Sequence, residues 1–182
     1  MRRTYLLHFG LILSLCAIAS CAESTTGPSA LSPQYWEGEE EPGIGRMTGG
    51  GGQVTIGDVY VTRGFTLHCD ITLSNNLEIN WPGNKWHLDK PLTSADCVDD
   101  PAFEPAPPPA PFDTFIGEGI GRLNGVDGYR VRIRFIDAGE PGGKNDMAGI
   151  QITDPNGNPV LLVPLGFMNN GNLQAHYDQP HK

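Results

Sequence analysis

The sequence has little positive charge, and its only long apolar run lies at the N-terminus. Lys and Arg number 12 against 21 Asp and Glu, so the formal net charge is −9. Nucleic acid is bound by a basic face, so this balance argues against a nucleic-acid partner. It suits an exported domain and could suit cations. The apolar run, at 5–20, is too short for a convincing membrane-spanning helix.

Recognisable catalytic motifs are also missing. The sequence contains no G-x-S-x-G, no H-E-x-x-H and no candidate cysteine nucleophile. A carboxylate pair for glycoside hydrolysis stays open, because a β domain can place two acids about 5–10 Å apart. Nothing in the sequence singles out such a pair. We therefore expect that the protein is not an enzyme, and an envelope hydrolase is the least favoured alternative.

The N-terminus carries an export signal. Arg2 and Arg3 precede the apolar run, which ends in "IASC" at 18–21. This stretch resembles the lipobox of bacterial lipoproteins, and the resemblance implies a signal peptide over 1–20 and a lipid on Cys21. An ordinary secretory signal cut near Ala22 is the alternative. Because Ala22 follows the cysteine, the resemblance implies a protein lipid-anchored at the outer membrane, on its periplasmic or its outer side.

The four cysteines take different roles in this scheme. Cys16 leaves with the signal peptide and Cys21 takes the lipid, so Cys69 and Cys97 remain in an oxidising compartment. A disulfide between them is the natural interpretation. It would close a loop of 29 residues and stabilise the fold by up to ~3.6 kcal/mol in the chain-entropy treatment. A two-cysteine metal site competes, but no His or Cys stands at zinc-finger spacing.

Composition divides the rest of the chain into two parts. Residues 21–52 are rich in Gly, Pro, Ser, Thr and Glu, which predicts a lipidated, flexible tether. From residue 53 the hydrophobic period is two, as in "FTLHCDITL" and "YRVRIRF", with turn residues at about every 8–12 positions. This pattern predicts a single β domain over 53–182.

The expected fold is all-β, an antiparallel, jelly-roll-like β-sandwich of about eight short strands. An open β-barrel is the alternative. Prolines crowd residues 99–113, so this segment cannot be a ladder strand. We interpret it as an extended crossover between two halves of the domain. A proline-rich ligand for a partner groove is the other interpretation.

Residues 115–176 resemble a β-rich module of exported bacterial proteins. Its motifs are G-x-G-x-x-N-G, D-x-G-E-P-G-x-x-D and G-N-x-Q-x-H, and the second has one extra residue here. The matching positions are Gly119, Gly121, Asn124, Gly125, Asp137, Gly139, Glu140, Pro141, Gly142, Asp146, Gly171, Asn172, Gln174 and His176. The module has no assigned activity, so the resemblance implies a fold and an exported location.

An acidic, glycine-rich loop, "DAGEPGGKND", is the first candidate site. Calcium takes roughly six to eight oxygen ligands. A structural calcium ion would be held by Asp137, Glu140, Asn145 and Asp146. The spacing is not that of an EF-hand. The alternative is a turn in which Pro141 presets φ and the aspartates cap loop N–H groups.

Aromatic and basic side chains give the other candidate sites. Trp81, Trp86 and His87 cluster in "EINWPGNKWHL", and exposed aromatics there could stack on sugar rings. The alternative is that one Trp is core and the other shields the disulfide. The arginines of "YRVRIRF" form an outward row that favours pairing with acids on a neighbouring strand, or could hold an acidic glycan.

Together these features predict a non-catalytic, lipid-anchored cell-envelope protein that acts as a surface or periplasmic interaction or scaffold module. Its expected partners are the membrane, through the lipid on Cys21, and a glycan or an envelope protein. A calcium-stabilised carbohydrate-binding or adhesion module is the alternative. Apart from that structural calcium ion, we expect no cofactor.

Overall fold

The computed structural model describes residues 45–103, 110–139, 142 and 144–177, all within one compact unit, Leu31–Lys182. Predictions for the signal peptide, for Cys21, for the tether up to residue 44 and for Glu140 lie outside these residues. No helix in the described part is long and apolar enough to span a membrane.

Ten β-strands and one short 3₁₀ turn, Pro101–Phe103, make up the regular structure of the described residues. The strands are β1 (Arg46–Val54), β2 (Tyr60–His68), β3 (Asn76–Trp81), β4 (Asn84–Leu88), β5 (Ser94–Val98), β6 (Thr114–Leu123), β7 (Val126–Ile136), β8 (Met147–Thr153), β9 (Pro159–Phe167) and β10 (Asn170–His176).

The alternation of apolar and polar residues in the sequence matches the alternation of buried and exposed side chains in these strands. In β7, Val131, Ile133 and Phe135 are buried, whereas Arg130 and Arg132, which alternate with them, are exposed. Successive side chains of a strand point to opposite faces. The hydrophobic row therefore forms the core and the arginine row forms the outer surface.

The strands form one antiparallel sheet that curls into a half-barrel. Its order is β10-β1-β2-β3-β4-β6-β7-β8-β9, and β5 also pairs with β6. The all-β, antiparallel prediction is confirmed, and the arrangement is that of the open-barrel alternative. Alternation along a strand is the same in a sandwich and in a barrel, so it could not separate the two.

The predicted end of the tether is wrong by several residues. The stretch 46–52, which includes four consecutive glycines, belongs to β1 and pairs with β2 on one side and β10 on the other. A Cβ atom on Gly49 would lie 2.5 Å from the carbonyl oxygen of Asn172. The glycines therefore permit a close approach of backbones, whereas their composition suggested flexibility.

The predicted crossover at 99–113 is also wrong. Val98 at the end of β5 pairs with Thr114 at the start of β6, so the segment joins two neighbouring antiparallel strands. Within its described part, Phe112 is buried and the Asp113 N–H donates to the Val98 carbonyl. Proline excludes a ladder strand from this segment, but it carries no information about which strands the segment connects.

The predicted disulfide is present. Cys69 and Cys97 are bonded, with their Cα atoms 5.8 Å apart. Cys69 follows β2 directly and Cys97 lies in β5, and these two strands do not pair with each other in the sheet. The disulfide therefore links parts of the sheet that share no backbone ladder.

We expect the double variant Cys69→Ser, Cys97→Ser to have a free energy of unfolding up to ~3.6 kcal/mol lower than the wild type, because the open chain gains entropy when it unfolds. Denaturant unfolding under oxidising conditions measures this difference. Reductant should lower the stability of the wild type and leave the variant unchanged. Equal stability of the two proteins would contradict the expectation.

Candidate functional site

Two buried carboxylates lie at the ends of the acidic loop. Asp137 follows β7, Asp146 precedes β8, and both side chains are buried. The Ala175 N–H donates to Asp137 Oδ2 at 2.8 Å, and the Leu173 N–H donates to Asp146 Oδ2 at 2.7 Å. Both donors belong to β10, so the loop is hydrogen-bonded to the strand at the end of the sheet.

These bonds take the place of a neighbouring strand. β10 ends the strand order, with β1 on one side only. Leu173 and Ala175 are alternate residues, so their N–H groups point to the same edge. Hydrogen bonds from N–H groups to ionised carboxylates are stronger than those to neutral acceptors. The two aspartates thus accept hydrogen bonds from backbone N–H groups of β10 that would otherwise be unpaired at the edge of the sheet.

The same aspartates also organise their own loop. The Gly139 N–H donates to Asp137 Oδ1 at 3.0 Å, and the Ala138 N–H donates to Asp146 Oδ1 at 3.3 Å. The capping role proposed for both residues is therefore confirmed. Across residues 45–103, 110–139, 142 and 144–177, no three His, Cys, Asp or Glu side chains are grouped to hold a metal. Asn145 is exposed, and the calcium site stays a prediction.

The residues predicted to bind a glycan do not share one face of the sheet. Trp86 and His87 are neighbours in β4, so their side chains point to opposite faces. Trp86 is 0% exposed, and its Nε1–H donates to the Tyr129 carbonyl at 3.4 Å. It cannot stack on a sugar, so its assignment to a ligand site is wrong and the core alternative holds for it. Trp81 is partly buried against the core. His87 is half-buried and belongs to the outer face.

His87 lies in a depression on the outer face of β3, β4 and the β6–β7 turn. The depression has a volume of about 490 Å³ and is lined by Glu78, Lys85, His87, Arg122, Asn124 and Gly125. Glu78 and Lys85 form an ion pair at 2.8 Å, and the hydrogen bond from Lys85 lowers the pKa of Glu78. The surface thus carries charges of both signs around an imidazole.

The turn beside this depression explains one motif of the sequence. Asn124 and Gly125 connect β6 to β7 with φ of 51° and 84°, the two positive values of a type I′ hairpin turn. Asn124 Oδ1 also accepts the Lys85 N–H at 2.9 Å. The asparagine therefore joins the hairpin to β4, a role that the motif alone did not indicate.

One of the outward arginines pairs with an acid on a neighbouring strand, as one interpretation of this row predicted. Arg132 contacts Glu118, opposite it on β6, at 2.8 Å, and Arg134 contacts Asp100 at 2.8 Å. Arg130 lines a cleft of about 290 Å³ on the same face, between β6, β7 and β8. An acidic glycan at this cleft stays a prediction.

Asp113 is a buried acid to which the sequence analysis gave no role. Burial raises its pKa to about 6, although the Thr114 hydroxyl donates to it at 2.6 Å and the Asp100 N–H at 3.2 Å. Another titratable group, His176, has its pKa lowered by burial and by Arg46.

Arg63 is a second buried residue that the sequence analysis missed. It occupies an inward position of β2 and is 4% exposed. Its guanidinium carbon lies 5.7 Å from the centroid of the Phe135 ring. Burial lowers the pKa of Arg63 to about 10. The available signal was a charge in the inward row of "VTRGFTL", between Val61 and Phe65.

Comparison of the chain with models of protein families, with curated proteins and with solved structures gives no match. The resemblance to the exported β-rich module therefore stays a prediction. What the structure establishes is an antiparallel half-barrel with a disulfide and a loop fastened to its end strand.

We expect Asp146→Asn to lower the free energy of unfolding by about 1–3 kcal/mol, because the amide can no longer accept both N–H groups that the carboxylate accepts. Hydrogen exchange of the Leu173 amide should accelerate selectively, and denaturant unfolding gives the total loss. The control is Asp154→Asn, in an exposed turn, which should leave the Leu173 amide protected.

A double variant that adds Asp137→Asn to Asp146→Asn tests the calcium prediction. If the loop binds calcium, the unfolding midpoint of the wild type rises with free calcium, and that of Asp137→Asn, Asp146→Asn does not. If the aspartates act only through hydrogen bonds, calcium moves neither midpoint. Unchanged exchange at Leu173 in Asp146→Asn would contradict the closing role of this side chain.

The raised pKa of Asp113 predicts a dependence of stability on pH. Its pKa is about 6 in the folded protein and roughly 3.9 in an unfolded chain. The folded state therefore binds the proton more tightly, and stability rises as the pH falls from about 6 to about 4. Above about pH 6 we expect Asp113→Asn to be more stable than the wild type by up to about 3 kcal/mol.

The difference between Asp113→Asn and wild type should shrink towards zero near pH 4, where the wild-type carboxyl is protonated. Urea unfolding at a series of pH values measures it, and the contribution of His176 cancels because both proteins contain it. Asp58→Asn, at an exposed turn position with φ of 60°, should show no such trend. A pH-independent difference would refute the assignment.

Proposed function

We propose that this chain is a non-catalytic, lipid-anchored protein of the bacterial cell envelope, whose β domain acts as an interaction or scaffold module at the outer membrane. The observation that carries the proposal is the Cys69–Cys97 disulfide. Disulfides persist in oxidising compartments and are rare in the cytosol. The bond therefore supports export, and "IASC" at 18–21 supplies the means of anchoring.

The hydrogen bonds of the buried Asp137 and Asp146 carboxylates support a non-catalytic role. Asp137 and Asp146 are the acids that stand out in the sequence, and both accept backbone N–H groups of β10 and of their own loop. A general acid or base needs a carboxyl that can exchange its proton with a substrate. Here the carboxylates serve to hold the end of the sheet.

The outer face supplies the surface for a partner. The depression around His87 offers Lys85 and Arg122 as cations and Glu78 as an anion. Mixed polar groups of this kind fit the rim of a protein contact, where orientation and specificity come from complementary charge. The partner proposed is an envelope protein or a glycan. The burial of Trp86 removes one of the aromatic contacts on which a carbohydrate-binding module would depend.

The proposal predicts that Cys21→Ser releases the protein from the membrane. Wild type and the matched variant Cys16→Ser should both remain in the membrane fraction, because only Cys21 carries the lipid and stable anchoring depends on its acyl chains. Fractionation of the producing cells, followed by mass analysis of the N-terminal peptide, measures this. Equal membrane retention of Cys21→Ser would overturn the anchoring.

The interaction role is tested in the same cells. A photoreactive residue in place of His87 should crosslink to one defined envelope component, and a matched one in place of exposed Asn156 should not. The crosslink should weaken when Lys85→Glu reverses a charge of the depression. Identical crosslinking from both positions would contradict a specific surface at His87.

A further inference from the structure

The outer face of the sheet has a cleft whose charges do not balance. The cleft lies between β6, β7 and β8 and has a volume of about 290 Å³, near the lower limit for small-molecule sites. Two arginines and one glutamate line it, which gives a formal charge of +1, whereas the whole chain carries −9. The cleft is therefore a local positive site on an acidic protein. Its polar lining side chains are Thr93, Glu118, Arg130, Arg132, Gln151 and Thr153.

Arg130 supplies the unbalanced charge. Arg132 pairs with Glu118 at 2.8 Å. By contrast, the residues opposite Arg130 are Ile120 on β6 and Thr153 on β8, and both are neutral. The Arg130 side chain is exposed and has no ion pair with any residue that the structure describes. Its guanidinium can therefore bind an anion, and its planar fork of N–H donors matches the two oxygens of a carboxylate.

Neutral hydrogen-bonding groups surround this guanidinium. Thr153 lies opposite Arg130 in the β7–β8 ladder, and cross-strand partners have Cβ atoms about 4.5–5.5 Å apart. Gln151 lies two residues from Thr153 on β8. Thr93 lines the cleft beside Glu118, to whose carbonyl it donates its N–H at 2.8 Å. Hydroxyl and amide side chains both donate and accept hydrogen bonds. The groups around the cation therefore suit a ligand with several hydroxyl groups and one carboxylate.

These features favour a sugar acid over other anions. A phosphate monoester carries about −1.5 to −2 charges, which exceeds the formal +1 of the lining residues. An acidic peptide has carboxylates but few hydroxyl groups. None of the described lining residues is aromatic, so a sugar in this cleft would be held by charge and hydrogen bonds and not by ring stacking.

A second cleft adjoins the first across one cross-strand pair. Arg130 lines the first cleft, and Ile120, opposite it on β6, lines a cleft of about 220 Å³. Two aspartates line the second cleft, and Arg122 pairs with both. Lys90 also lines it and has no ion pair among the described residues. Each cleft therefore offers one cation without an ion pair, and two adjoining sites suit two sugars of one chain.

We propose that the two clefts form one groove that binds an acidic oligosaccharide. The carboxylate of one sugar accepts from the Arg130 guanidinium, and hydroxyl groups of the same sugar bond to Gln151 and Thr153. The carboxylate of a second sugar along the chain lies against Lys90. The groove is separate from the depression around His87 and goes beyond the function proposed above. Failure of the anchoring or crosslinking experiment would leave the groove intact, and failure of the groove would leave those proposals intact.

Tetragalacturonate and its full methyl ester are the probes, because they share their rings and differ in their carboxylate charges. Each is titrated into purified, ¹⁵N-labelled protein at about 0.15 M salt, where a Debye length of ~8 Å screens the net negative charge of the distant surface. The readout is the backbone amide shifts. We expect saturable shifts in β6, β7 and β8 around Arg130. The ester should bind at least about tenfold more weakly, since the charge-assisted hydrogen bonds are lost.

Absence of saturable shifts, or equal affinity for the ester, would overturn the groove. A tetraglutamate peptide is the third probe, because it carries carboxylates and lacks the sugar hydroxyl groups. It should bind more weakly than tetragalacturonate. Equally tight binding of the peptide would overturn the assignment to a sugar.

Arg130→Gln should leave the stability unchanged, because the side chain is exposed and unpaired, and should weaken tetragalacturonate binding about tenfold. Lys85→Gln is the matched control, since it removes the same net charge from the depression around His87 and should keep the affinity. Lys90→Gln should weaken binding of the tetramer and not of galacturonate alone. Unchanged affinity in Arg130→Gln, or an equal loss in Lys85→Gln, would overturn the groove. Unchanged tetramer binding in Lys90→Gln would overturn the second sugar position.

Discussion

The hydrogen bonds from β10 to Asp137 and Asp146 are the constraint on which the half-barrel depends. Among the described strands, β10 has a neighbour only in β1, and its other edge donates to the two carboxylates. β1 in turn lies between β10 and β2, and its glycines allow the backbones to approach closely. Without the carboxylates, the edge of the sheet would have unpaired donors, which proteins avoid.

The disulfide and the loop serve the same purpose in different places. Each joins parts of the sheet that no backbone ladder connects: the disulfide links Cys69 to Cys97, and Asp137 and Asp146 link their loop to β10. A curled sheet with two ends gains stability from such links, because the described residues form no second sheet for it to pack against.

Local patterns in the sequence predicted the strands. They failed for features that depend on pairing between strands far apart in the sequence. The alternation in "YRVRIRF" gave the faces of β7, and the cysteine count gave the disulfide. The four glycines of β1 suggested a linker, because glycine composition is the same in a flexible chain and in a tightly packed strand. Three features depend on which strands lie next to each other in the sheet: the strands that the 99–113 segment connects, the burial of Trp86 and the position of Arg63. A short stretch of sequence does not contain that information.

The place of β1 in the sheet has a mechanical consequence. The described chain enters at Gly45 and passes directly into β1, which pairs with nine residues of β2 and seven of β10. A pull on the N-terminal segment along the strand axis would load both ladders in shear, so that many hydrogen bonds resist together. A strand at the edge of the sheet, pulled in the same direction, would have a single ladder to resist the load. The first strand of the described chain is therefore held on both sides.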